Sequence, residues 1–248
     1  IVLNTFYSSN IILLNRVNSV TRNNIYFIPP IFGNSILYKP LSEKLGKHFN
    51  CYGLQYKGLE KGEELYTSVE QAALEFSEQI IKRQNEGRFI IFGYSMGAVI
   101  AFEMGKILEQ KSKSFTLILI DKDVQSHFKY LLKYVPKKDS TKWLLSKYKD
   151  LITDEYFDRE TIEKFLLNND KIMDKYNQKG KIKSSIYAFE STDNKSKTNV
   201  KNWENYTEGE LKISFIKGDH WKALSEENFP QFEKVIKSIF HHEGQLFL

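Results

Sequence analysis

A chain of 248 residues can bury a substantial core, and its length suits one large domain or one domain with an insertion. Hydrophobic residues make up 41% and aromatic residues 14% of the composition, which excludes an intrinsically disordered chain. The 36 basic and 31 acidic residues give a net charge of +5 and are largely interspersed, whereas a nucleic-acid-binding surface needs clustered basic residues.

Cysteine count and hydropathy bear on the cellular setting. The only cysteine, Cys51, cannot form an internal disulfide, and its strand-like surroundings favour a buried, unreactive thiol. No apolar run approaches the ~20 residues that span a bilayer, and residues 1–14 lack the features of a signal peptide. The missing initiator methionine suggests a domain cut from a longer polypeptide. We expect a cytoplasmic protein that binds neither membrane nor nucleic acid.

Strand-like and helix-like segments alternate along the first half of the chain. Ser114–Asp121 is a nearly continuous apolar run, typical of a strand buried on both faces of a parallel sheet. Ser68-Val-Glu-Gln71 has the form of a capping box and predicts the start of a helix. The alternation over residues 24–121 predicts an α/β fold with a doubly wound, mostly parallel sheet. The expected strands are residues 10–16, 24–28, 51–55, 89–92, 114–121, 184–190 and 211–217, and a closing helix is expected over residues 227–240.

The composition changes between two of these strands. From residue 124 to residue 182 lysine, tyrosine and leucine dominate, and strand-like runs disappear. Residues 143–148 and 161–167 have the pattern of short amphipathic helices. We interpret residues 124–182 as a helical lid inserted into a single domain that spans residues 1–248.

Gly93-Tyr-Ser-Met-Gly97 has the pattern G-x-S-x-G between a predicted strand and a predicted helix. The predicted turn is so sharp that a side chain at either glycine would collide where strand and helix nearly touch. It presents Ser95 at a helix N-terminus, where backbone N–H groups and the helix dipole favour a developing anion. We therefore interpret Ser95 as a nucleophile.

A serine hydroxyl becomes a good nucleophile only when a base takes its proton. Of the five histidines, only His220 directly follows a predicted core strand, at the sheet edge where α/β folds place their active sites. We expect His220 to be the base. The other candidates are His48, His127, His241 and His242.

The base needs a carboxylate that orients it and stabilises its charged form. Asp219 adjoins His220 and would struggle to reach its neighbour's ring, so the choice lies between Asp121 and Asp123. We favour Asp121 because it ends a strand and is held more firmly. The chain order Ser95, Asp121, His220 is then that of α/β-hydrolases.

An oxyanion formed at the serine needs two N–H donors. The residue after the nucleophile, Met96, is expected to supply one of them. The loop after the strand that ends at Ile28 should supply the other. Because Pro29 and Pro30 have no N–H, Ile31 is the first candidate there.

Four motifs in register carry a family resemblance over most of the chain. They are residues 27–33 (Phe-Ile-Pro-Pro-Ile-Phe-Gly), residues 92–98 (Phe-Gly-Tyr-Ser-Met-Gly-Ala), Ile120-Asp121, and Asn202-Trp-Glu-Asn-Tyr-Thr followed by Gly218-Asp-His220. Together they resemble the thioesterase domains that end non-ribosomal peptide synthetases. The predicted lid lies where that family carries its own, but it does not match residue by residue.

The resemblance implies a mechanism and a partner. A peptidyl or acyl carrier domain would present a thioester on its phosphopantetheine arm, and no cofactor would bind to the thioesterase domain itself. Ser95 would form an acyl-enzyme, with Asp121 and His220 completing the triad and Ile31 and Met96 as oxyanion donors. Water, or an amine or hydroxyl of the peptide, would release a linear acid or a macrocycle.

Three other readings stay open at this point. They are a stand-alone editing thioesterase that clears misprimed carriers, an esterase or lipase acting on free esters, and an inactive hydrolase fold used for binding. The sequence has no P-loop, no G-x-G-x-x-G, no H-E-x-x-H and no C-x-x-C. It therefore contains none of these motifs for nucleotide binding or zinc chemistry. We expect no metal site.

Overall fold

The structure, a computed structural model, describes residues 10–15, 23–59, 62–124, 159–193 and 198–241. Two predictions therefore lie partly or wholly outside it. The helix expected over residues 143–148 is outside the described residues, and so is most of the expected lid, residues 125–158.

Within the described residues, seven strands form one sheet. They are β1 (Ile11–Leu13), β2 (Asn24–Ile28), β3 (Asn50–Leu54), β4 (Phe89–Tyr94), β5 (Phe115–Ile120), β6 (Ile186–Ser191) and β7 (Leu211–Ile216). Their order across the sheet is β1-β3-β2-β4-β5-β6-β7. Among these described strands, the edge strand β1 alone runs antiparallel to its neighbour, and the other five pairings are parallel. The predicted doubly wound, mostly parallel α/β sheet is confirmed.

Helices cover both faces of this sheet. The described α-helices are α1 (Lys39–Leu45), α2 (Val69–Arg83), α3 (Met96–Gln110), α4 (Arg159–Lys175) and α5 (Phe229–His241). One buried cluster joins α2 and α3 to one face of the sheet, and a second joins α1 and α5 to the other face. Short 3₁₀ turns span Ile36–Tyr38, Val200–Tyr206, His220–Lys222 and Glu226–Asn228.

Strand β1 is shorter than the predicted residues 10–16 because a side chain replaces its backbone pairing. The N–H of Leu14 still donates to the carbonyl of Cys51 at 2.8 Å. The N–H of Cys51, however, donates to the side-chain oxygen of Asn15, whose amide group donates to the carbonyls of Ser42 and Phe49. Cys51 itself is fully buried, as its sequence context indicated.

The start of α2 keeps half of the predicted capping box. Ser68 accepts a 3.1 Å hydrogen bond from the N–H of Gln71, as a helix N-cap should. The side chain of Gln71 does not return to Ser68. It accepts from the backbone N–H and the hydroxyl of Thr67, one residue earlier.

Helix α4 makes up most of the described part of the predicted lid, and it lies in the connection between β5 and β6. Its apolar stripe is buried in the same cluster as α2 and α3. The buried side chains of this stripe are Ile162, Phe165, Leu166, Ile172 and Met173. Spacings of three, four and seven residues place them on one helix face, which explains why this segment is helical and docked. The extent of the lid as residues 124–182 stays a prediction.

Candidate active site

Ser95 lies on a strained turn between β4 and α3. Its backbone has φ 56° and ψ −128°, a left-handed conformation that costs a non-glycine residue on the order of 1–3 kcal/mol. The N–H of Ser95 donates to the carbonyl of Ile120 at 3.1 Å, which ties the turn to the end of β5. Strain at this position is the signature of a nucleophile elbow.

The two glycines of the motif are required by close backbone approaches. A Cβ added to Gly93 would lie 2.4 Å from the carbonyl oxygen of Gly97, between strand and helix as the motif predicts. A Cβ added to Gly97 would lie 2.4 Å from the carbonyl oxygen of Ile28 and 2.7 Å from that of Pro29. Gly97 is therefore required because α3 approaches the end of β2 closely, an approach that the sequence did not indicate.

The structure brings together the three side chains that the sequence singled out. The Nε2 atom of His220 lies 3.1 Å from the hydroxyl of Ser95, and its Nδ1 atom lies 2.7 Å from a carboxylate oxygen of Asp121. Ser95 is 3% exposed, His220 4% and Asp121 0%. The three residues follow β4, β5 and β7, so they meet at the C-terminal edge of the sheet. This geometry lets an imidazole take a serine proton while a carboxylate stabilises the resulting charge.

Asp121 is held as an ionised carboxylate. Its second oxygen accepts a 2.9 Å hydrogen bond from the N–H of Ser191, at the end of β6. Burial alone would raise the pKa of Asp121, but the hydrogen bond and charge of His220 and the Ser191 N–H outweigh burial and lower this pKa below its ordinary 3.8. A carboxylate that stays charged can orient the imidazole in one tautomer.

The two rival carboxylates have other partners. Asp123 is buried and accepts hydrogen bonds from the N–H of Asn199, at 2.7 Å, and from the side chain of Asn202, at 3.4 Å. Asp219 caps the 3₁₀ turn that carries His220, because it accepts from the N–H groups of Trp221 and Lys222. The structure therefore places Asp121, and neither rival, against the imidazole.

The loop that presents His220 depends on two residues that the sequence analysis missed. Tyr94, the residue before the serine, donates a 2.5 Å hydrogen bond to the backbone carbonyl of His220. The buried side chain of Asn228 accepts from the N–H of Lys217 and donates to carbonyls on both sides of His220, those of Lys217 and Lys222 among them. No local sequence signal points to Asn228, whereas the position of Tyr94 inside the motif was a signal.

The predicted oxyanion donors lie close to the elbow. Met96 is the first residue of α3, and the N–H groups of a helix's first turn have no acceptor within the helix. Ile31 follows the two prolines after β2, and the carbonyls of Ile28 and Pro29 press against Gly97 in the first turn of α3. Both side chains belong to one buried cluster. Their role as donors stays a prediction.

The other histidines lie away from this constellation or outside the described residues. His48 follows α1 and has its ring 6.3 Å from that of Phe49, and His127 and His242 are outside the described residues. His241 is the last residue of α5. Within the described residues there is no cluster of three or more His, Cys, Asp or Glu side chains suited to a metal ion, and no helix long and apolar enough to cross a membrane.

Comparison with known proteins agrees with the fold. The family model for the thioesterase domain matches residues 23–242. Atromentin synthetase of Tapinella panuoides is 23% identical over 260 residues, which cover 89% of this chain and 27% of that protein. Inactive atromentin synthetase invA4 of Paxillus involutus is 21% identical over 257 residues, with the same 89% and 27% coverage. The chain thus spans little more than a quarter of the curated relatives it matches.

A solved structure gives the same fold. The Vlm2 thioesterase domain, bound with a dodecadepsipeptide, has a TM-score of 0.70 and 22% identity, and the match covers 92% of this chain and 96% of that one. The seven-stranded sheet with its flanking helices is accordingly an α/β-hydrolase fold. A family model that matches nearly the whole described chain establishes the assignment. The chain belongs to the thioesterase domain family.

Proposed function

We propose that this domain releases a peptidyl or acyl chain from the phosphopantetheine arm of a carrier domain through an acyl-enzyme on Ser95. The observation that carries the proposal is the pair of contacts made by His220, 3.1 Å to Ser95 and 2.7 Å to Asp121. All three groups are buried, where hydrogen bonds and charges act more strongly than in water. They stand at the C-terminal sheet edge, next to two predicted oxyanion donors.

The first half of the reaction forms an ester. Nε2 of His220 takes the hydroxyl proton of Ser95 as the oxygen bonds to the thioester carbonyl carbon. The N–H groups of Met96 and Ile31 bind the oxyanion of the tetrahedral intermediate. The carbon–sulfur bond then breaks, and the imidazolium returns its proton to the departing pantetheine sulfur. Asp121 stabilises the imidazolium throughout.

The second half frees the product. Water, or an amine or hydroxyl of the bound chain, loses a proton to His220 and attacks the ester carbonyl. The carbon–oxygen bond to Ser95 breaks, and Ser95 recovers the proton from His220. Attack by water gives a linear acid, and attack by the chain's own nucleophile gives a macrocycle.

The proposal of a carrier partner rests on two supports. The motifs resemble those of domains that act at the end of synthetases, and the curated relatives are synthetases of which this chain spans 27%. A larger synthetase has room for the domain that would load and present the thioester. We propose the same arrangement here, with the carrier-bound chain as the substrate.

The test uses one acyl group in two forms, an acyl-pantetheine thioester and the corresponding p-nitrophenyl ester. We expect kcat/KM to favour the thioester, and intact-protein mass spectrometry to show one acyl adduct that Ser95→Ala abolishes. His220→Ala should lower turnover about as far as Ser95→Ala, because the groups act as a unit. Strong preference for the free ester would favour an esterase instead.

Two further measurements separate the remaining alternatives. A fluorophosphonate probe should label the native protein and fail to label Ser95→Ala. No labelling of the native protein would favour the inactive binding fold. A peptidyl-pantetheine thioester with a free terminal amine distinguishes products by mass, because the macrocycle is one water lighter than the acid. Faster cleavage of acetyl-pantetheine than of peptidyl-pantetheine would favour the editing type.

A further inference from the structure

The turn after β2, residues 28–31, has every backbone carbonyl engaged by a different donor. Three donors lie in the segments that follow β2 and β3, and the fourth lies in helix α4. The pairs are Ile28 with the Tyr38 hydroxyl at 2.7 Å, Pro29 with the Tyr56 hydroxyl at 3.1 Å, Pro30 with the Gly33 N–H at 2.9 Å, and Ile31 with the Asn169 side-chain amide at 2.8 Å.

These bonds determine where the N–H of Ile31 points. The described peptide bonds are all trans, and in a trans peptide the C=O and N–H point in opposite directions. The bond from Gly33 to the carbonyl of Pro30 therefore sets the plane that carries the Ile31 N–H. The bond from Asn169 sets the next plane, so both planes that flank Ile31 are held.

The contribution of α4 is specific and buried. Asn169 is 1% exposed and is separated from Ile31 by 138 positions in the chain. One helical turn earlier, Phe165 packs against Gly33, where an added Cβ would lie 2.3 Å from the end of the Phe165 ring. Helix α4 thus makes a hydrogen bond to Ile31, within the turn, and an apolar contact with Gly33, two residues after it.

We propose that Asn169 is a positioning residue that makes the oxyanion donor of Ile31 depend on the docking of α4. The inference rests on the proposed function, because it needs Ile31 to bind an oxyanion. Tyr38, Tyr56 and Gly33, the donors to the first three carbonyls, lie outside α4. The fourth carbonyl, next to the donor itself, is held by α4. Docking of α4 therefore fixes the second of the two peptide planes that flank the proposed oxyanion donor.

The test compares Asn169→Leu with Asn168→Leu. Leucine has the same number and branching of side-chain heavy atoms as asparagine, but it is bulkier and donates no hydrogen bond. Asn168 is the control, since its side chain also leaves α4 to donate to a loop carbonyl, that of Tyr66 at 2.7 Å, which is not one of the carbonyls of residues 28–31. Both changes loosen α4, but only the change at 169 frees the carbonyl of Ile31. Asn169→Ala removes the amide without adding bulk or charge and serves as the second variant if Asn169→Leu does not fold.

The readouts separate positioning from general loosening. We expect Asn169→Leu to lower the kcat of acylation about tenfold or more, less than the ~10²–10³ of a donor removed outright, with KM unchanged. The affinity for an alkyl boronic acid, which forms a tetrahedral adduct on Ser95, should fall by the same factor as kcat/KM. Asn168→Leu should change both values less than twofold.

Two results would overturn the proposal in distinguishable ways. In the first, the wild type is acylated, and the 168 and 169 variants have equal kcat and equal affinity for the boronic acid. This result would contradict the role of Asn169 but leave the proposed function standing. A wild type that forms no acyl-enzyme at all would overturn the proposed function, and this role with it.

Discussion

The ring of Tyr94 lies 5.0 Å from the imidazole of His220, and its hydroxyl donates to the backbone carbonyl of that same residue. The two residues are 126 positions apart. A side chain from the nucleophile elbow therefore holds the loop that carries the proposed base, so Ser95 and His220 are positioned by a shared contact. This relationship gives the first prediction.

Tyr94→Phe should destabilise the domain by about 1 kcal/mol, since a buried carbonyl loses its donor. It should also lower kcat on the order of tenfold, because a small displacement of a catalytic group costs rate. The control is Tyr26→Phe, which removes a buried hydroxyl bonded to Gln84 at 3.1 Å and far from the elbow in sequence. An equal loss of kcat in both variants would show that the Tyr94 effect is not positional. Urea unfolding and active-site-titrated kinetics measure both quantities.

Asp121→Asn and Asp123→Asn should separate catalysis from structure. The first variant keeps the shape but favours the wrong imidazole tautomer, so we expect kcat to fall about 10³–10⁴-fold. The second should keep turnover within a few-fold while lowering stability, because Asp123 holds the N–H of Asn199. The opposite pattern, with activity lost only in the 123 variant, would mean that the orienting carboxylate is misassigned.

The lowered pKa of Asp121 predicts how stability changes in acid. A carboxyl with a folded-state pKa below its unfolded value stabilises the fold above the unfolded pKa, and this contribution is lost as pH falls through the folded pKa. The unfolded value is near 3.8, so the contribution of the Asp121 carboxylate to the stability of the wild type, relative to Asp121→Asn, should shrink as the pH falls below about 5. Urea unfolding at pH 7, 5, 4 and 3 provides the measurement. A difference that grows in acid would contradict the direction of the shift.

Gly97→Ala should prevent folding or destabilise the domain by about 3 kcal/mol or more, since its Cβ meets backbone that cannot move alone. The clash is with the carbonyl oxygen of Ile28, at 2.4 Å. Gly180→Ala is the control, because an added Cβ there has no atom of the described residues within 4 Å. Its φ of +81° should still cost about 1–2 kcal/mol. Thermal melts of the two variants give the comparison, and equal melting temperatures would contradict the clash.

Tyr176→Phe should loosen the inserted helix. The Tyr176 hydroxyl donates at 2.6 Å to Glu103, a buried carboxylate on α3 that also pairs with Lys106 at 2.8 Å. Burial and the Glu103 charge raise the pKa of Tyr176 well above 10.0, so its hydroxyl remains a donor at working pH. Loss of a bond to a charged group should cost about 1.5–3 kcal/mol.

Hydrogen exchange checks this prediction within one molecule. Amide protection should fall in the last turns of α4 and stay unchanged in α5, which packs on the opposite face of the sheet. Equal loss of protection in both helices would indicate global destabilisation and would contradict a local anchor.

Most of the fold could be predicted because its signals are local. The nearly continuous apolar run of β5 is typical of a strand buried on both faces, and the spacing in α2 and α5 follows the 3.6-residue period of a helix, so a sequence displays both directly. The elbow was likewise predictable, because its G-x-S-x-G pattern lies within residues 93–97. The contact of Gly97 with the carbonyls of Ile28 and Pro29 was not predictable from that pattern. Where a side chain replaced a backbone partner, as Asn15 does at the end of β1, the predicted strand was too long.

The sequence by itself determined the alternation of strands and helices, the position of Ser95, and the arrival of His220 at the same sheet edge. Only the tertiary structure shows that Asp121, which the sequence favoured, lies against the imidazole and that Asp123 does not. Side chains two apart would share a face if β5 continued, but the backbone leaves the strand at Asp121, with φ 48°. Tertiary packing also brought Tyr94 to His220 and Asn169 to Ile31. Such contacts join residues more than a hundred positions apart, and their geometry depends on how whole elements pack rather than on any local pattern.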